Sequence, residues 1–382
     1  MRKLLKYDII HPATWLEQQK QQNPAVRKMN LREYRDWLNG LRSNYSDFYT
    51  YWLNQAGGWE AEEYYLMDPE FTAKAAQQLW GRWGALAVRL WCWPWGRLGR
   101  RARNFENTTL AAYARRFGAD VVFARSQPRP SAFWRRLVPG ALTVARLSAR
   151  LPRNWHPNDF DLIYTDQPDF KVFFELHGTP TIVNKQGFDE RLLAEIRPNP
   201  NPAGVVFVGG LGTQNFLQRT EFLEQLAAAI SLDWYGYWWQ YGGDGRTLTD
   251  FPALSAAFRG STSGLPMFQH YVDAAVCVND YVDTANGIGY NQRMFEVMGI
   301  GGFLLTRQAP NFSKDFPEGI FATYRTLEEC LEKIAYYQDH PEERAEIARR
   351  GQAFVLENFN YRDIARRFGR DLSEALEREA DT

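Results

Sequence analysis

Residues 284–306, TANGIGYNQRMFEVMGIGGFLLT, read as a glycine loop, an amphipathic helix and a buried strand in succession. Gly287 and Gly289 open backbone conformations closed to other residues, and Asn291 stands where a helix N-cap belongs. Backbone N–H groups and the positive helix end then face whatever fills the loop, which favours an anionic ligand. Arg293 and Glu296, three residues apart, share a face of the first helical turns, while Met294, Phe295, Val297 and Met298 supply packing. A guanidinium suits a phosphate; a carboxylate repels phosphate but suits the paired hydroxyls of a ribose. Together they point to a nucleoside diphosphate. The alternative for the same residues is a surface i,i+3 ion pair after an ordinary glycine turn.

The run Asn291, Arg293, Phe295, Glu296, then Gly301 and the strand Phe303–Thr306, resembles the C-terminal signature of GT-B glycosyltransferases of the CgeB, spore-maturation-protein-like, type. The likeness continues through Phe321–Tyr324, the helix Leu327–Gln338, Pro341, Ile347, Ala348 and Gly351. In the larger group-1 glycosyltransferases a ribose-binding glutamate stands five positions before a glycine, as Glu296 does before Gly301. A second family glutamate, eight positions earlier, falls here on Ile288, so this sequence departs from the family where the donor sugar is held. The resemblance implies an α/β GT-B architecture: two Rossmann-like, doubly wound parallel-sheet domains facing across a cleft, with a C-terminal helix crossing back to the N-terminal domain.

The 382 residues suit two domains, each able to bury a core, and 45% hydrophobic composition is that of a globular protein. Net charge is zero but unevenly spread. Residues 73–153 carry sixteen arginines and lysines against only Glu106 and Asp120, leaving the remainder net acidic by fourteen. Cys92, Cys277 and Cys330 are odd in number and scattered, without metal-ligand spacing, and read as reduced thiols of a cytoplasmic protein. The basic start MRKLLKYDIIHP is interrupted by Lys6 and Asp8 and lacks a small-residue cleavage site, so no signal peptide is expected. The most apolar window, Leu79–Leu98, holds Arg82, Arg89 and Arg97 and is not expected to span a bilayer.

Along the chain, strands are expected at 4–10, 59–66, 120–124, 141–146, 161–165 and 181–184, with helices at 31–55, 71–91, 108–117 and 170–177. A glutamine-rich loop is expected before residue 31, and the tryptophans of the 71–91 helix are expected in the core. Residues 197–203, RPNPNPA, hold three prolines and read as the linker between domain 1–196 and domain 204–358, with 359–382 as the crossing helix. The second alternation gives strands 205–208, 232–235, 275–278 and 303–306, and helices 216–230, 267–274 and from 291. Strand–helix alternation argues for parallel sheets.

The loop VFVGGLGTQN follows a strand and opens a helix, so Gly209, Gly210 and Gly212 can cradle phosphate. A dinucleotide fold is disfavoured, because its third glycine would stand where Asn215 does. The CgeB-type resemblance places this loop, Arg219, and Gly236 after Tyr235 in the donor domain. Asp159-Phe160-Asp161 has the letters of a metal-binding Asp-x-Asp but precedes its strand, so it reads as a turn; no metal and no cofactor beyond the nucleotide sugar are expected. Strand ends of the first domain nominate His11, Arg125, Asp166, Asn184 and Lys185, of which His11 and Asp166 are the candidate catalytic bases. A retaining mechanism assisted by the departing phosphate needs no protein base, and both routes stay open.

The Arg/Trp stretch 73–153 fits a solvated helix face, a contact with anionic lipid, or nucleic acid; no nucleic-acid motif accompanies it and no nucleic acid is expected. The expected function is glycosyl transfer from a nucleotide-diphosphate sugar to a glycan or lipid-linked acceptor, in the cytoplasm or peripheral to the inner face of the membrane. Rival readings are an inactive GT-B-like binding module and a membrane-surface or nucleic-acid-binding protein.

Overall fold

The structure, a computed structural model, describes residues 1–43, 46–91, 98–126, 128–147, 157–239, 243–283, 288–289 and 291–380. The chain divides into two compact units, 1–185 with 362–382, and 186–361. The division falls after Lys185, and the proline-rich run 197–203 lies inside the second unit, where Asn199 holds Asp273 and Ala203 N–H donates to the Asp273 carbonyl.

In the first unit the elements run β1 (Arg2–Ile9), α1 (Ala13–Gln22), α2 (Leu31–Gly40), α3 (Phe48–Ala56), β2 (Trp59–Leu66), α4 (Pro69–Trp91), α5 (Leu98–Phe117), β3 (Val121–Ala124), α6 (Ser131–Leu137), β4 (Leu142–Leu147), β5 (Leu162–Thr165), α7 (Pro168–Leu176) and β6 (Thr181–Val183). The six strands form one parallel sheet in the order β2-β1-β3-β4-β5-β6. Successive β1 side chains alternate between faces. Leu5, Tyr7 and Ile9 enter the larger apolar core with Trp134, Val122 and Ile163. Phe123 instead meets Phe368 of the C-terminal helix, which is also packed by Tyr49 and Tyr164.

Three expectations change here. The glutamine-rich loop contains α1, whose Trp15 and Leu16 are buried while its glutamines cover the outer side. The stretch 31–55 is two helices, because α2 ends near Gly40 and α3 begins only after Asp47. The tryptophan-bearing half of α4 is not core: Gly81, at φ 66°, interrupts the helix, and beyond it Trp83, Leu86 and Leu90 face solvent.

The second unit runs β7 (Val205–Val208), β8 (Leu211–Gly212), α8 (Leu217–Ala229), β9 (Leu232–Tyr235), β10 (Trp238–Trp239), α9 (Pro252–Ala257), β11 (Phe258–Gly260), α10 (Gly264–Asp273), β12 (Val276–Asn279), α11 (Gln292–Ile300), β13 (Leu304–Arg307), α12 (Phe312–Asp315), β14 (Ala322–Tyr324), α13 (Leu327–Asp339) and α14 (Pro341–Asn358). Its parallel sheet has the order β11-β9-β7-β12-β13-β14. Phe207, Leu223, Trp234, Val278 and Leu305 centre its core. This is the doubly wound Rossmann order, and the winding reverses between β7 and β12. The last helix, α15 (Tyr361–Ala380), returns to the first unit, where Asp371 accepts a 2.8 Å hydrogen bond from Tyr164.

Candidate functional site

In an open α/β sheet the crevice beyond the strand ends at the reversal point is the ligand site. In the second unit that point joins the loop after β7 to the loop after β12. Asn279, the last residue of β12, is fully buried and organises it. Its amide oxygen accepts from Arg293 Nη1 at 2.8 Å and from Asn291 Nδ2 at 3.0 Å, while its amide nitrogen donates to Thr306 Oγ1 at 2.9 Å. Asn291 caps α11 as expected, its side chain accepting from Met294 N at 3.3 Å. One amide at a strand end thus fixes the cap, the helix start and the guanidinium together.

Arg293 lies over the Phe207 ring, 4.6 Å from its centre, and Arg219 of α8 approaches the same ring at 5.7 Å. Arg219 donates to the Gly210 carbonyl and, at 3.4 Å, to the Asp280 carbonyl. Burial and the neighbouring Arg293 push the Arg219 guanidinium down to about 10. The Nε–H groups of both arginines are buried and have no hydrogen-bond partner among the described residues. Asp280 lies close by, but its carboxylate, pushed up by burial, meets Arg307 at 2.7 Å.

The glycines at this point are there for room. A Cβ on Gly209 would collide with the Arg293 guanidinium, and one on Gly236 with the Gly209 carbonyl. Gly210 and Gly212 continue the same loop, joined to the β9 end by Leu211 N–H donating to the Tyr237 carbonyl at 2.9 Å. Gly236 N–H donates to the Gly260 carbonyl, also at 2.9 Å, which brings the β11 end and its buried Thr262 and Ser263 hydroxyls to the same sheet edge. Across the site Gly289 N–H donates to Asn311 Oδ1 at 2.7 Å. Gly287 lies outside the described residues.

Glu296 is only 8% exposed, so the surface ion-pair reading of Arg293 and Glu296 does not hold. Desolvation pushes its carboxyl up to about 7, against the pull of Arg293 and a hydrogen bond from Gln292. The structure therefore brings together Gly209, Gly210, Gly212, Arg219, Gly236, Gly289, Asn291, Arg293 and Glu296 in one unit. Sequence reasoning missed Asn279, Asp280, Thr306 and Arg307. Their signal was available: polar residues directly follow the apolar strands VCV and FLL.

The candidate bases lie in the first unit. His11 is half-buried, and burial pushes its imidazole down while Asp8 pulls it up. Asp166 is buried with its carboxylate 3.9 Å from Arg146, which donates at 3.0 Å to the Asn184 carbonyl. Arg125 meets Asp8 at 3.9 Å, and Asp8 meets the buried Lys6 at 3.7 Å. Lys6, Asp8 and Arg125 form one charge-compensated group, and Arg146 with Asp166 another. Asp161, from the Asp-x-Asp letters, accepts from Thr143 N at 2.7 Å and pairs with Arg135 at 3.0 Å, which ties the start of β5 to β4 and α6. Among the described residues, no cluster of three His, Cys, Asp or Glu side chains could hold a metal ion.

The architecture is the GT-B fold. Sucrose-phosphate synthase from Thermosynechococcus elongatus superposes with a TM-score of 0.56 at 12% identity, over 98% of this chain and 99% of that one. Anabaena HepE in complex with UDP-glucose gives 0.56 at 14%, over 98% and 100%. The N-terminal domain of Candida albicans trehalose-6-phosphate phosphatase gives 0.56 at 10%, over 98% and 97%. Within this fold, residues 218–369, from α8 into α15, match the family described as glycosyl transferase-like. No curated protein matches the chain.

Proposed function

We propose that this protein is a glycosyltransferase of the CgeB-like kind, taking a sugar from a nucleotide-diphosphate donor bound at the β7/β12 reversal point. The observation that carries the reading is the pair of guanidiniums over Phe207, each with a buried, unpartnered Nε–H among the described residues, beside the N-terminus of α11. Two like charges held together in a desolvated place need an anion, and a pyrophosphate supplies it. Glu296 takes the ribose hydroxyls. As the glycosidic bond breaks, negative charge grows on the departing diphosphate, and arginines and helix end already aimed there favour the transition state over the bound substrate. In this reading the arginines do the work a cation does elsewhere, so no metal is needed. The first unit takes the acceptor, a glycan or lipid-linked glycan, with His11 or Asp166 as base unless the departing phosphate serves. The setting is cytoplasmic.

Thermal unfolding with UDP, GDP, dTDP and CDP, each with EDTA, tests the reading. At least one nucleotide is expected to stabilise the chain by about 2.7 kcal/mol at a hundredfold excess over its Kd. Stabilisation only with magnesium or manganese overturns the metal-free site. Ile288, where related enzymes carry a glutamate, favours an inactive nucleotide-sugar-binding module as second reading. Slow hydrolysis of the donor sugar without acceptor decides against that module.

A further inference from the structure

We propose that the second half of α4, residues 82–91, seats this protein on an anionic lipid bilayer. On a helix of 3.6 residues per turn, Trp83, Leu86, Ala87, Leu90 and Trp91 fall on one stripe, with Arg82 and Arg89 together on its flank. That stripe is turned to solvent: Trp83 is 77% exposed, Leu86 46%, Leu90 61% and Trp91 81%. The first half of the same helix behaves oppositely, with Phe71, Ala75 and Ala76 fully buried, and the change comes at the Gly81 break. A groove of about 840 Å³ adjoins the stripe, lined by Trp80 and Trp91, by Phe133 and Leu137, and by Arg115 of α5. The apolar surface therefore extends beyond one helix.

Charge selects the occupant. Arg82 and Arg89 are exposed on the flank of the stripe and Arg115 is exposed in the lining of the groove, so this face attracts a negatively charged surface. A second copy of the chain would bring Arg82 and Arg89 against their own kind, and a nucleic acid would leave the tryptophan and leucine stripe without an apolar partner. A bilayer offers both: headgroup phosphates for the arginines and the acyl boundary for tryptophan and leucine. Ten helical residues reach about 15 Å against a hydrocarbon core of about 30 Å, so the segment lies in the interface and does not cross. No described helix is long and apolar enough to cross a membrane.

The inference stands apart from the nucleotide site, in the other unit, and either can fail alone. Flotation of the full chain with vesicles of phosphatidylglycerol and phosphatidylcholine, beside vesicles of phosphatidylcholine alone, tests it. The chain is expected to float with the anionic vesicles only, and less as salt rises. Arg82→Gln with Arg89→Gln weakens partitioning about fivefold for each charge removed. Trp83→Ser with Trp91→Ser weakens it at least about tenfold, with an unchanged unfolding temperature because both rings are exposed. Absence of flotation with anionic vesicles at low salt overturns the proposal, as does equal flotation of the tryptophan variant or of neutral vesicles. A dimer that the tryptophan variant splits, with lipid binding unchanged, assigns the face to self-association instead.

Discussion

Glu296 carries the sharpest consequence at the residue scale, because a carboxyl buried on α11 and pushed up to about 7 is half-protonated at neutral pH. A folded-state value above the ordinary one means that the folded chain binds the proton more tightly than the unfolded chain. Its contribution to stability is whole below pH 4.5 and is lost as pH rises through 7, by about 3 kcal/mol if Glu296 acts alone. Ribose hydroxyls donate to the ionised form, so nucleotide binding expels the proton and its affinity rises from pH 6 to pH 8. Glu296→Gln is expected to flatten that pH dependence and to weaken nucleotide binding by about 1.5–3 kcal/mol. Calorimetric titration at both pH values checks it; an unchanged affinity removes Glu296 from the ribose. At this scale the sequence showed the residues whose types announce chemistry, Arg219, Arg293 and Glu296. Asn279 is marked there only as a polar residue ending VCVN, and its role comes from the three partners that folding brings to it.

Elements were legible where the apolar period was strong, and less so where a polar surface masked it. The parallel pairing of the second unit and four of its six sheet strands follow from alternating strand and helix, while β11 and the strand order do not, and α11 with its Asn291 cap stands where the sequence put it. In contrast, α1 is concealed by glutamines that favour neither period, and the stripe Trp83–Trp91 has a core helix's spacing without the core. Periodicity reports that one side of a helix is apolar; what covers that side is a matter of tertiary structure. The cap of α11 gives the element-scale test. Asn291→Ala removes both the bond to Met294 N and the amide bond to Asn279, at an expected cost of about 1–2 kcal/mol in denaturant unfolding. Asn291→Asp keeps a cap oxygen but sets a carboxylate beside the Asn279 oxygen in place of an amide donor. It is expected to recover part of the stability and not the nucleotide affinity. Equal affinity in all three proteins takes the cap out of the site.

At the scale of the whole molecule, α15 is far in sequence from the unit it completes. Phe368 stacks edge-on against Tyr49 and Tyr164 at 5.0 Å and meets Phe123 at 4.8 Å, and all four side chains are buried. Asp371 accepts from the Tyr164 hydroxyl, and the first unit without this helix would expose one face of its sheet. Truncating the chain after residue 361 therefore deprives the first unit of a wall while leaving 186–361 with every residue of the β7/β12 site. Removing a Phe368-sized core contact costs about 3–5 kcal/mol before the rest of the helix is counted, a large share of a domain's stability. Proteolysis of the truncated chain is expected to digest 1–185 and spare a fragment near 186–361, which retains nucleotide-dependent protection. The point variant Phe368→Ala in the full chain is the milder form of the same test, with the first unit unfolding at a lower temperature and nucleotide affinity unchanged. If the truncated chain resists proteolysis throughout, the helix is an accessory to the first unit. If it loses nucleotide binding while 186–361 remains intact, the site depends on more than the unit that contains it.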